Sequence, residues 1–133
     1  MLLLDASVWV AAAIESNSAY AEAGAIAHGD LLVAALDLTL YEVANAIGRQ
    51  YRLPAQARKL VQAILCTCGD HLVRVDQALV DEAAELVVSH NLSAYDAAYV
   101  AAARRHGWQL VSLDVRDLVS KGLAVTPDAA DYP

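Results

Sequence analysis

Short apolar runs that stop abruptly, each followed by a longer stretch with helical periodicity, constrain this chain more than any other feature. Leu2, Leu3 and Leu4 form the first run, and Asp5 cuts it off. Consecutive leucines without alternation describe a strand buried on both faces, and the acid marks its end at a sheet edge. Residues 7–14 and 18–28 are rich in Ala and read as two helices, the second closed by Gly29. A second apolar run covers 31–34. A helix is expected over 38–51, where Leu40, Val43, Ala44, Ile47 and Tyr51 recur at the 3.6-residue period and face the core. Pro54 opens another, with Ala57, Leu60, Val61, Ile64, Leu65 and Cys68 apolar and Gly69 ending it. A strand over 71–75 leads to Asp76, which caps a helix to about His90. Ser93 begins a helix to about His106, stopped by Gly107. A fourth strand over 109–113, a short helix to Lys121 and a fifth, edge strand over 123–126 complete the pattern.

Strands separated by helices imply right-handed crossovers, and so an α/β fold with a parallel sheet of about five strands and helices on both faces. The 133 residues fit one domain, 1–133. Apolar types reach 58%, enough for a sizeable core and high enough to suggest a covered partner surface. Only 128–133 lacks apolar periodicity. The apolar N-terminus has no basic segment before it and is broken at Asp5, so it does not read as a signal peptide. No apolar stretch reaches membrane-spanning length, and the expected location is cytoplasmic. Cys66 and Cys68 sit too close on one helix to face each other and read as structural. The four His residues share no metal-site spacing.

In parallel α/β sheets, ligands bind beyond the carboxyl ends of the strands. Asp5 and Asp114 fall just past two such ends, while Glu42 and Asp96 lie in early turns of helices that start there. Each acid has a local explanation. Asp5 and Asp114 suit N-caps, Asp96 completes a capping box with Ser93, and Glu42 suits an exposed helical position. Together they suggest more. Carboxylates meeting in a cleft repel one another and lose solvation unless a cation neutralises them. Oxygen donors without neighbouring His or Cys suit Mg²⁺ or Mn²⁺ rather than zinc. The implied chemistry is phosphodiester hydrolysis. Glu42, Asn45 and Arg49 are spaced to share one helical face.

The segments LLLDASVWVAA, LYEVANAIGR, LSAYDAAYVAAARRHG and LVSLDVRDL, in that order, resemble PIN-domain endoribonucleases, most closely the VapC-like toxins of bacterial toxin–antitoxin pairs. The resemblance spans nearly the whole chain; its third segment is the most specific. It implies a PIN-like three-layer sandwich and makes Asp5, Glu42, Asp96 and Asp114 the acidic quartet. Asp5 and Asp96 are expected to hold the principal Mg²⁺ or Mn²⁺, with Glu42 and Asp114 contributing directly or through water. Ser7 matches the family's small hydroxyl after the first acid, Asn45 a polar companion of Glu42, and Ser112 a position more often Thr. Asp117, one turn after Asp114, is an alternative fourth acid. The resemblance also implies 5′-phosphate and 3′-hydroxyl products, an RNA substrate, a homodimer and a cognate VapB-like antitoxin.

Nine Lys and Arg against sixteen Asp and Glu leave a net charge of −7, which argues against gripping nucleic acid by charge alone. Four of the acids belong to the expected site, and Arg49, Arg52, Arg58, Lys59, Arg104 and Arg105 are candidates to border it, Arg49 and Arg104 foremost. Two other functional classes compete. A phosphoacceptor receiver domain needs paired acids at the first strand, where only Asp5 stands, and leaves Glu42 and Asp96 unexplained. A PIN fold used only for binding RNA or protein would not need all four acids. A haloacid-dehalogenase-type phosphatase is excluded because position 7 is Ser rather than Asp.

Overall fold

The computed structural model describes residues 1–131; Tyr132 and Pro133, the end of the aperiodic tail, lie outside the described residues. Four parallel strands, β1 (Leu2–Leu4), β2 (Val33–Leu36), β3 (Leu72–Val73) and β4 (Gln109–Val111), form one sheet in the order β3-β2-β1-β4. The chain winds outward from β1 to β2 to β3, then crosses to the other side of β1 for β4. The strand order therefore reverses between β1 and β4, and it is beyond the carboxyl ends at such a reversal that parallel sheets bind ligands. That is where the chain places Asp5 and the segment leading to Asp114.

The buried strands divide their side chains between two cores. Leu2, Leu4, Val33, Ala35 and Val111 face a core built with α1 (Ala6–Ala13), α2 (Tyr20–Ala27), α3 (Asp37–Ala44) and α4 (Pro54–Cys68). Leu3, Ala34, Leu36 and Leu110 face the opposite core, with α5 (Gln77–His90) and α6 (Ala94–His106). Period-two alternation thus serves both faces, giving the expected three-layer sandwich. Leu3 is wholly buried at its centre, and truncating such a side chain to Ala typically costs about 2–5 kcal/mol.

Among the described residues the sheet has four strands rather than about five. Of residues 123–126 only Val125 pairs, in an isolated bridge with Val111. Leu123 N–H is taken back by Leu118 O, and Pro127–Ala129 turns into a 3₁₀ helix immediately after. Likewise β3 stops short of 75, because Val75 N–H bonds Asp37 Oδ2 instead of a strand neighbour. Part of the aperiodic tail is tied down: Ala130 is buried and Asp131 N–H bonds Gln109.

The helix expected over 38–51 is α-helical only to Ala44 and continues as π-helical turns over Asn45–Gln50. Its wider turns end on Tyr51, which is 42% exposed rather than a core residue. Among α4's apolar positions, Leu65 also faces solvent. Cys66 and Cys68 are free thiols, the first exposed and the second buried. Among the described residues, no helix is long and apolar enough to cross a membrane.

Candidate active site

Asp5 is the last residue before α1 and caps it: Oδ1 accepts from Val8 N–H at 3.3 Å and from the Ser7 hydroxyl. Ser7 Oγ in turn accepts from Leu113 N–H at 2.9 Å, so one hydroxyl ties the end of β1 to the segment after β4. Ser112 is fully buried, and its Oγ accepts from Asp114 N–H at 3.0 Å. Asp114 caps a short π-helical turn, Val115–Val119, by accepting from Asp117 N–H at 2.9 Å. The local capping explanations for Asp5 and Asp114 therefore hold. They do not exhaust what these side chains do.

Burial pushes the Asp5 carboxyl up to about 6, against the pull of the Ser112 and Ser7 hydroxyls and Val8 N–H, and Glu42 adds repulsion. Glu42 is raised by burial and by Asp96, with the Tyr99 hydroxyl opposing. Asp96 is raised by burial and by Asp114, with Asp117 adding to the rise and Ser93 and Lys121 opposing. The acids thus form a continuous line of mutual repulsion from Asp5 through Glu42 to Asp96 and its neighbours. Single carboxylate oxygens of Asp96, Asp114 and Asp117 lie within 4.8 Å of one another. The tightest group is therefore this trio, and Asp117 joins it beside Asp114. Asp5 and Glu42 stand next to it without belonging to it.

Glu42 is held from below. Tyr99, wholly buried on α6, donates to Glu42 Oε1 at 2.7 Å and shares a 2.7 Å bond with Thr39 Oγ1. The sequence pattern alone did not tie Thr39 or Tyr99 to Glu42. The available signal was spacing: Thr39 is three residues before Glu42, and Tyr99 three after Asp96, each pair on one helical face. Lys121 is the other unanticipated neighbour. Its Nζ donates to the carbonyls of His90 and Asn91 at 2.9 and 3.2 Å, closing the end of α5 beside Asp96.

The basic residues are not gathered to the same degree. Asn45 and Arg49 are exposed, and the π-helical turns mean that seven residues no longer complete two turns from Glu42. Arg104 lies eight residues along α6 from Asp96, about 12 Å, in a cleft with Gly107, Gln109 and Leu110 at the amino end of β4. Arg105 pairs with Asp76 at 3.3 Å and Glu82 at 3.4 Å, away from the acids. His106 stacks on Trp108 with ring centroids 4.2 Å apart.

The donor set fits a hard divalent cation. Three carboxylates meet and two more stand beside them, no His or Cys joins them, and Asp5, Glu42 and Asp96 are held above their ordinary values by burial and mutual repulsion. A cation among Asp96, Asp114 and Asp117 removes that repulsion.

A family model for the PIN domain matches residues 2–120, and the chain belongs to that family. No curated protein sequence matches it. Among solved structures, it is similar to Mycobacterium tuberculosis VapC20, described as a sarcin–ricin loop cleaving toxin, with a TM-score of 0.72 and 21% identity over 92% of this chain and 95% of that one. A toxin–antitoxin complex from Klebsiella pneumoniae gives 0.69 and 20% over 96% and 98%. The Neisseria gonorrhoeae FitAcB structure gives 0.71 and 18% over 98% and 100%.

Proposed function

We propose that this chain is a divalent-metal-dependent endoribonuclease, the toxin of a VapBC-type pair. The observation that carries the reading is the meeting of three carboxylates from two segments beyond the carboxyl edge of the sheet, with acids from two further segments beside them. Asp5 follows β1, Glu42 lies on α3, Asp96 on α6, and Asp114 with Asp117 follows β4. Local capping needs no such meeting. It is what a cation-assisted phosphodiesterase requires, and the toxins among the similar structures make RNA the expected substrate.

Asp96, Asp114 and Asp117 would hold the cation, Mg²⁺ or Mn²⁺, with Glu42 and Asp5 completing its surroundings directly or through water. When bound, the ion supplies Lewis acidity toward a phosphoryl oxygen and lowers the pKa of water. Asp5 would accept a proton from the attacking water once a cation neutralises the neighbouring repulsion. Ser7 and Ser112 fix its orientation. Attack forms a bond from water oxygen to phosphorus and breaks the bond to the 3′ oxygen, which leaves with a proton; the products carry a 5′-phosphate and a 3′-hydroxyl. Arg49, exposed on the π-helical turns, is assigned to a phosphate flanking the cut, whereas Arg104, at the amino end of β4, is not.

Exposed apolar surface supports protein partners. A groove of about 610 Å³ between α3, α5 and α6 exposes Tyr41 (81%) and Tyr95 (61%) with Val75 and Val80. A smaller one, about 280 Å³, includes Ala44, Ala57, Val61 and Leu65. Such patches suit a homodimer and a cognate VapB-like antitoxin. The decisive experiment incubates purified protein with total RNA and Mg²⁺ or Mn²⁺, with and without chelator. Cleavage abolished by chelator and by Asp96→Asn is expected; RNA binding without cleavage in either metal would favour a non-catalytic module.

A further inference from the structure

Two buried hydroxyls beneath Glu42 are aligned in one direction. Leu36 N–H donates to Thr39 Oγ1 at 3.0 Å, which leaves the Thr39 proton free to donate onward. Its partner is Tyr99 OH at 2.7 Å, and Tyr99 OH donates to Glu42 Oε1 at 2.7 Å. The chain of donors therefore runs Leu36 N–H, Thr39 O–H, Tyr99 O–H and ends on a carboxylate. Thr39 and Tyr99 are 0% and 1% exposed, so water cannot replace either link. Two of the elements are continuous, the end of β2 running into the first turns of α3, and the third, α6, reaches in from the opposite layer. Buried hydrogen bonds of this kind polarise one another and fix rotamers more firmly than their number suggests.

We infer that Tyr99, backed by Thr39, is a positioning residue that fixes Glu42 by one carboxylate oxygen and so presents the other toward the cation bound by Asp96, Asp114 and Asp117. The inference rests on the metal-site reading above. It gives α6 two roles at the site. Asp96 approaches the ion, and Tyr99, one turn further on, sets the angle of an acid that belongs to a different helix. Partners that orient a ligand from behind typically contribute ten- to hundredfold to metal affinity.

The test is calorimetric titration of Mn²⁺ into RNA-free protein, compared across wild type, Tyr99→Phe, Glu42→Gln and the double variant. Tyr99→Phe should weaken Mn²⁺ binding roughly ten- to hundredfold, and should have almost no further effect once Glu42 is Gln, since the two act through one contact. Cleavage by Tyr99→Phe should recover toward wild type as Mn²⁺ is raised to saturation. Thr39→Ser, which keeps the hydroxyl, should bind like wild type, whereas Thr39→Val should not; this pair carries the test should Tyr99→Phe fail to fold. Wild-type Mn²⁺ affinity in Tyr99→Phe, or an equal loss in the Glu42→Gln background, would overturn the positioning role while leaving the metal site intact. Failure of the wild type itself to bind Mn²⁺ would overturn both.

Discussion

Asp5 and Asp76 occupy the same local position and behave in opposite ways. Both are N-caps whose side chain accepts from the backbone N–H three residues on, Val8 for one and Leu79 for the other. At the start of α5, Asp76 is exposed, and its cap bond with Leu79 and the Arg105 guanidinium hold its carboxyl below the ordinary value. At the start of α1, Asp5 is buried beside Glu42 and driven up to about 6. The capping bond is common to both, so it cannot account for the difference. What differs is solvent and the sign of the neighbouring charge, both set by long-range packing. One N-cap is stabilised by a neighbouring cation; the other is left unneutralised beside a second acid.

The widest separation should appear in turnover. Asp96→Asn or Asp114→Asn should lower RNA cleavage roughly a thousandfold or more, the scale of losing a direct metal ligand. Asp76→Asn should leave it within about twofold. Comparable losses at Asp76 and Asp96 would erase the distinction between the stabilising acid and the site acids.

Stability in chelator should separate them next, with opposite signs. Asp5 rises on folding from its ordinary 3.8 to about 6. Its contribution is therefore fully present below pH 3.8 and is lost as the pH rises through about 6. At pH 7.5 the metal-free protein carries a cost on the order of 3 kcal/mol from this group. Asp5→Asn keeps a capping side chain and should raise the Tm in chelator at pH 7.5, with little gain at pH 4. Asp76→Ala should lower the Tm slightly. Thermal melts at the two pH values check both, and an unchanged or lower Tm for Asp5→Asn at pH 7.5 would contradict the stored charge.

The smallest effect concerns RNA affinity. With the acids concentrated at the site and few cations brought to it, Asp96→Asn protein should bind single-stranded RNA with a shallow salt dependence, a log–log slope of roughly −2. Arg49→Ala should reduce that slope by roughly 0.7, one phosphate contact. A slope steeper than roughly −5 would mean a basic surface that these residues do not form.

Much of the fold was legible because abrupt apolar runs and capping residues are local signals. Asp76, Ser93 and Gly107 delimit helices where their chemistry requires. Of the residues anticipated for the site, the acids and the two serines are explained by position at strand ends and helix starts, which sequence order makes visible. The rest depended on contacts across the chain. Nothing in residues 38–51 announced the π-helical turns that change the register of Arg49. The apolar run over 123–126 could not reveal that its backbone bonds would be taken elsewhere. Arg105, a candidate for phosphate by sequence position, is held instead by Asp76 and Glu82 at the start of another helix. Tyr99 and Thr39 lie 60 positions apart and meet only through the layering of α3 against α6.

A single cation held where Asp96, Asp114 and Asp117 meet is the central expectation. Anomalous diffraction from crystals grown with Mn²⁺ tests it directly: a single strong peak within bonding distance of these carboxylates, with Glu42 at its border, is the expected result. A well-ordered site in which the three side chains remain together with no anomalous density between them would contradict it.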